Sequence, residues 1–184
     1  MDHLQQAAKT YAGLLRKDYA YELETGARLL VYFMPEFFHH LMGLQKLTDI
    51  PAVIKSRSNH PRHIFRNVLN GRIALEDIRR SAYFNEVAPR LLHFEQINRL
   101  AAFEKVIVDF DSALISSKII KADYILFKPS NDGMFLNLFL KPDNAHASKH
   151  IPLTFIPCPT DYYTYGQKVV PIKSIHVLDR QTKG

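Results

Sequence analysis

Two histidines stand side by side in Phe37-Phe38-His39-His40-Leu41-Met42-Gly43-Leu44, and imidazole is the side chain whose ordinary titration falls near neutral pH. On a helix, neighbouring side chains diverge by about 100°. The pair is therefore poorly disposed to share one metal ion and better suited to supply a single general acid or base. Pro35 and Glu36 make a good first helical turn, because proline lacks only a donor that has no partner there and a carboxylate favours the positive end of the helix dipole. The spacing predicts a helix with Phe37, Leu41 and Leu44 facing a core and His40 at the margin between packed and wet surface. Taken alone, the stretch favours a packed or surface histidine.

Further polar groups interrupt apolar runs later in the chain. Strand alternation puts Tyr124, Leu126 and Lys128 on one face, Phe135, Asn137 and Phe139 on one face of the next run, and Thr154 with Pro152 and Ile156 in a third. Near the end, Ser174 and His176 share a face with Ile172 and Leu178. A buried polar group without a partner costs about 1–3 kcal/mol, so these residues either pair or line a polar cleft. Singly, Asn137 and Thr154 read as satisfied sheet residues; together with Lys128 they read as a site. Lys46 falls on a short connector between Gly43 and Pro51. Lys55, Arg57, Arg62 and Arg66, around His60 and His63, form either a solvated face or a nucleic-acid contact.

Other chemistries lack their residues. No His-Glu-x-x-His or Cys-x-x-Cys occurs, and the pairs His60/His63 and His146/His150, although spaced like ligands on a helix, fall in predicted loops. With seven glycines in all and no glycine-rich phosphate loop, nucleotide hydrolysis and dinucleotide redox chemistry are disfavoured. Asp109 and Asp111 read either as a magnesium pair or as strand-end caps, the latter being commoner.

The chain of 184 residues carries a formal charge of +6 and a pI near 9.4, which favours an anionic partner. It is long enough to bury one continuous core, with twelve Phe and nine Tyr to fill it. A single cysteine, Cys158 between Pro157 and Pro159, forms no internal disulfide and points to a reducing cytoplasm. Met1 to Lys17 carries charges and no apolar core of signal-peptide length. The runs Leu29–Met34 and Phe135–Leu140 are too short to span a bilayer, so no membrane association is expected.

Leu4, Ala7, Ala8, Tyr11, Leu14 and Leu15 recur at helical spacing and predict an amphipathic helix docked on the domain's edge. Tyr19–Leu23 and Arg28–Phe33 flank Glu24-Thr25-Gly26-Ala27, as a hairpin would. A short helix is expected over Ile73–Ile78. Phe84 to Ala101 reads as the main core helix, with Arg90 and His93 off its stripe and solvated. Beyond Phe103 the period changes: Val106–Phe110, Ala122–Lys128, Met134–Leu140, Ile151–Ile156 and Val169–Leu178 are strand candidates. Asn131-Asp132-Gly133 makes a tight turn between two of them. The expected fold is α+β in a single domain, residues 1–184: an amino-terminal helix over 1–17, a hairpin and helical region over 19–101 and an antiparallel sheet over 103–178, with helices on one face of the sheet.

The strings Phe38-His39-His40-Leu41-Met42-Gly43-Leu44-Gln45-Lys46-Leu47-Thr48-Asp49-Ile50, Lys121 to Lys128, Asn137-Leu138-Phe139-Leu140 and Ile151-Pro152-Leu153-Thr154-Phe155 resemble a phage- and prophage-associated nuclease family. That family is grouped with the barnase, EndoU, colicin and RelE type of ribonuclease fold. The likeness also takes in Ile73–Phe84 and Tyr163–Lys168. It implies amino-terminal helices packed on a mainly antiparallel sheet and metal-independent RNA cleavage with no cofactor. It further implies RNA as partner and a toxin or phage-conflict role that an antitoxin or immunity protein would accompany. His40 matches the family's histidine before Leu-x-Gly, Lys46 its lysine, Lys128 the basic end of its Asp-Tyr strand and Thr154 its Thr-Phe position. Two residues depart from the pattern: His39 stands where tyrosine is usual, and Gln45 where histidine is frequent.

On this reading His40 serves as base or acid, Lys46 and Lys128 stabilise the phosphate, and Thr154 with Asn137 donate hydrogen bonds. Tyr124 or Tyr163 stacks a base or supplies a proton, and Lys55, Arg57, Arg62 and Arg66 hold the RNA chain. The competing readings are a noncatalytic nucleic-acid- or protein-binding module on the same fold and a structural phage protein.

Overall fold

Asp2 starts the first helix, α1 (His3–Ala12), by accepting the Gln5 backbone N–H on one carboxylate oxygen at 2.7 Å. Its second oxygen accepts from the Leu75 N–H at 2.8 Å. One side chain thereby caps two helix starts, because a carboxylate satisfies amide donors that have no partner within the helix. The computed structural model of the chain describes residues 2–115 and 121–180. It divides into two compact units, Met1–Leu15 with Met34–Asn98 and Arg16–Phe33 with Arg99–Gly184.

The first unit is helical. After α1 come α2 (Phe38–Leu41), α3 (Pro61–Leu69), α4 (Leu75–Arg79) and α5 (Ala88–His93), joined by short 3₁₀ turns. Leu4, Ala7, Ala8 and Tyr11 of α1 are buried, so the helix expected at the edge supplies the centre instead. The Tyr11 ring lies 5.4 Å from Phe38, 5.7 Å from Phe65 and 6.2 Å from Phe94, all tilted or edge-on, as aromatic quadrupoles prefer. Phe38 in turn meets Phe65 at 5.2 Å and Phe94 at 5.7 Å. The Tyr11 hydroxyl donates to the Met34 carbonyl at 2.7 Å, so its polar end is satisfied inside the cluster.

The single long helix expected over Phe84–Ala101 is broken: α5 passes into a 3₁₀ stretch, Phe94–Ala102, interrupted by non-helical backbone at Arg99. Arg90 and His93, expected to be solvated, are buried. For Arg90 the reason is local. Its guanidinium donates to the carbonyls of His40 at 3.0 Å and Leu41 at 3.4 Å, two acceptors at the carboxyl end of α2, where a cation complements the helix dipole. Gly43 ends that segment at φ +77°, and a Cβ there would lie 3.1–3.3 Å from three Arg90 side-chain atoms.

The second unit is a closed seven-stranded barrel in the order β1-β2-β6-β5-β4-β3-β7. Its strands are β1 (Lys17–Leu23), β2 (Arg28–Tyr32), β3 (Lys105–Val108), β4 (Tyr124–Pro129), β5 (Phe135–Asp143), β6 (His146–Cys158) and β7 (Val169–Asp179). The expected strands and the Gly26 and Gly133 turns are present, and every seam is antiparallel except β2–β6, which pairs in parallel at Val31 and His150. The hairpin grouped by sequence with the helices joins the barrel instead, β1 pairing with β7 to close it. His146 and His150, expected in a loop, lie on β6.

Proline inside β6 is accommodated by irregular pairing. Phe139 faces Thr154 while Leu140 faces Pro152, which leaves Leu153 as the extra residue of a bulge; a residue without an N–H is tolerated where the ladder is already interrupted. A second shift lies between Pro142 and Asp143. Asn137 is wholly buried on β5, its amide donating to the Phe135 carbonyl at 3.0 Å and the Ile156 carbonyl at 3.1 Å.

Because Gly43 combines a left-handed backbone with a wall of Arg90 atoms, Gly43→Ala is expected to destabilise the chain by roughly 1–3 kcal/mol. Urea unfolding followed by circular dichroism measures this, as a lower midpoint with an unchanged denaturant slope.

Candidate active site

The short α2 sorts the two histidines. Phe38, rather than the expected Phe37, turns into the aromatic cluster, which carries His39 into the interior and leaves His40 exposed. His39 is 1% exposed, and its Nε2 lies 2.7 Å from the Val53 carbonyl. Donation to that carbonyl leaves Nδ1 as an acceptor, and Nδ1 has no partner. Burial holds the His39 pKa below its ordinary value, against the opposing bond to Val53. The two rings are 5.6 Å apart and nearly perpendicular.

His40 opens onto a cleft of about 250 Å³ shared with His39, Gln45, Thr48, Ile54 and Lys55. The Gln45 side-chain oxygen is buried without a hydrogen-bond partner. Lys46, on the 3₁₀ turn Leu44–Lys46, does not line this cleft; its amine sits 2.8 Å from the Glu86 carboxylate, which lowers the Glu86 pKa. Arg57 is exposed in the connection before α3. Arg62 and Arg66 lie on α3, as does His63, expected in a loop; Arg62 faces Glu36 at 3.3 Å and Arg66 is exposed. His60 caps α3, its Nδ1 accepting the Arg62 N–H at 3.2 Å.

The remaining residues belong to the barrel. Lys128 lines a cleft of about 360 Å³ with Glu104, Lys105, Phe127 and Phe135. Thr154 is half-buried opposite Phe139, beside the Leu153 bulge. Asn137 departs from expectation. Both its N–H bonds go to sheet carbonyls and its side chain is sealed, so it secures the β5–β6 pairing rather than facing a substrate. Tyr163 packs edge-on against Phe139 at 5.2 Å, over a cluster that includes Ile107, Phe110, Ile125 and Phe127. Tyr124 sits 5.0 Å from the ring of His150.

Two groupings join residues that no local sequence pattern connects. One is the cleft around Tyr124 and His150. The other is a chain of hydrogen bonds at the β5–β6 turn. There Asp143 accepts from the Tyr32 hydroxyl at 2.7 Å and lies 2.7 Å from Nδ1 of His146. These bonds, the Tyr32 one foremost, hold the Asp143 pKa at about 2. Pro142 disguised the hairpin, and no Asn-Gly signal marked its turn. Among the described residues, no three His, Cys, Asp or Glu side chains converge as metal ligands. Nor is any helix among them long and apolar enough to cross a membrane.

A histidine held neutral by burial makes stability fall with acid, since the unfolded chain takes up a proton near pH 6.5 that the folded chain refuses. The His39 contribution is complete above about pH 6.5 and is lost as pH falls from there toward the lowered folded value, at no more than about 1.4 kcal/mol per pH unit. Urea midpoints at pH 7 and pH 5 should therefore differ less in His39→Gln than in the parent chain. An unchanged difference would remove His39 as a cause.

No curated protein and no solved structure matches this chain. A family model does: "phage-Barnase-EndoU-ColicinE5/D-RelE like nuclease4" matches residues 3–180. That span takes in the stretch around His40 and every barrel strand, and on it we conclude that the chain belongs to this nuclease family.

Proposed function

We propose that this nuclease cuts RNA without a metal ion, by attack of the substrate's own 2′-hydroxyl, as a toxin or phage-conflict effector. One observation carries the reading: of two adjacent histidines at one cleft, His39 is buried, with its pKa lowered by desolvation, and His40 is exposed in the cleft, which also contains a lysine. An exposed imidazole exchanges protons near neutral pH, and an amine beside it answers negative charge that develops on a phosphate.

In the proposed reaction a base removes the 2′-hydroxyl proton as that oxygen bonds to phosphorus. The P–O5′ bond then breaks, and the departing oxygen takes up a proton, giving a 2′,3′-cyclic phosphate and a 5′-hydroxyl. His40 performs one of the two proton transfers, and Lys55 stabilises the phosphorane. Lys46 is a second cation, whose amine exchanges Glu86 for a phosphate. Arg57, Arg62 and Arg66 contact the RNA chain. In the barrel, Lys128 and Thr154 are proposed as a phosphate cation and a hydrogen-bond donor, with Tyr163 as a further contact; Asn137 has no part in the chemistry.

Single-stranded and structured RNA incubated in EDTA is expected to give products with 2′,3′-cyclic ends, and His40→Ala is expected to slow cleavage by about 10²–10⁴-fold with the circular dichroism spectrum preserved. Cleavage at the parental rate, or products with 3′-hydroxyl ends, would overturn the mechanism. Removing Lys55 and Arg57 together should lower the slope of log affinity against log salt by about 1.4, roughly 0.7 for each single-strand phosphate that is no longer neutralised. Filter binding of an uncleavable 2′-O-methyl RNA over a range of salt concentrations measures it.

A further inference from the structure

The barrel carries a second recess that the proposed chemistry leaves unused. It is about 600 Å³ and is lined by Arg28, Leu30, Tyr124, Ser148, His150 and Leu178 among others, well within the roughly 300–1,000 Å³ of small-molecule sites. Its walls come from five strands, Pro142 of β5 among them. Arg28 and Leu30 belong to β2, Tyr124 to β4, Ser148 and His150 to β6, and Leu178 to β7. Arg28 and Ser148 are exposed, and Leu178 is an exposed apolar side chain at the same recess.

The imidazole of His150 is fixed in one role. One ring nitrogen bonds the Leu30 backbone, and burial lowers the pKa of the ring, which favours the neutral form. The other nitrogen, Nδ1, has no partner. With one nitrogen donating, Nδ1 of the neutral ring is an acceptor that nothing in the described barrel satisfies. The recess therefore joins an aromatic ring and aliphatic walls, a guanidinium at an exposed position, a hydroxyl and an unsatisfied acceptor. A flat heterocycle with a donor on its edge and a phosphate attached answers each of these features. Aromatic side chains stack unpaired bases, and guanidinium grips phosphate oxygens in pairs.

We propose that this recess binds one nucleotide, with its base against Tyr124 and the aliphatic walls, its phosphate on Arg28 and an amino or hydroxyl donor directed to His150. The inference rests on nucleic acid as the substrate class and not on the proton transfers assigned to His40. The nucleotide is either a free monophosphate or one residue of a bound RNA.

The test titrates the full chain, with ¹⁵N-labelled histidine, separately against AMP, GMP, CMP, UMP and inorganic phosphate. Calorimetry and the His150 ring resonances report binding. At least one nucleotide is expected to bind about tenfold or more tighter than phosphate and to move those resonances. Arg28→Gln should weaken it about tenfold, as removal of one charge-assisted hydrogen bond would, and Ser148→Trp, which fills the recess from an exposed position, should abolish it. His150→Leu should flatten the preference among bases; if that variant fails to fold, the two exposed-site variants decide.

A 2′-O-methylated tetranucleotide that binds at least tenfold tighter than the best monophosphate identifies the ligand as a residue of RNA, whereas equal affinity identifies a free nucleotide. No nucleotide binding above that of phosphate, or binding untouched by Arg28→Gln and Ser148→Trp, overturns the proposal. His40→Ala separates the two readings. Lost cleavage with intact nucleotide binding upholds both, and unchanged cleavage with intact binding removes the catalytic reading alone.

Discussion

Burial of the Phe38 ring among Tyr11, Phe65 and Phe94 is the constraint from which the helical unit's chemistry follows. A four-residue helix has too few internal hydrogen bonds to set its own orientation, so the ring that must leave water sets it instead. Once Phe38 points inward, His39 is carried to the Val53 carbonyl and His40 is left outside. Arg90 and Gly43 keep that rotation from slipping: the guanidinium satisfies the carbonyls at the end of the turn, and the glycine lets the chain leave close against it.

The barrel solves a different problem, that of strands rich in proline and polar side chains. Closure through β1 and β7 removes the open edges that a seven-stranded sheet would otherwise expose. Pro152 and Pro142 sit at register shifts, where a missing donor matters least. Asn137 satisfies sheet carbonyls from within.

Four histidines illustrate how one residue type is made to do different things. Burial lowers the pKa of His39; His40 faces water; His146 is held by a carboxylate that Tyr32 positions; His150 donates to backbone and retains an unsatisfied acceptor. The differences come from desolvation and from the partner of one ring nitrogen, which are the factors that govern imidazole acidity and tautomer.

Local pattern sufficed for the α+β class, the Gly26 and Asn131-Asp132-Gly133 turns and all seven strands, because strand alternation and turn chemistry are properties of neighbouring residues. It also singled out His40. Tertiary structure alone decided which face of the short helix was buried, that Arg90 and His93 lay inside, and that the long helix broke after α5. It alone decided that the early hairpin closed a barrel and that His150 met Tyr124 and Arg28 around one recess. Each of these depends on groups distant in the chain competing for the same dry volume or the same unpaired carbonyl, and no window of sequence contains that competition.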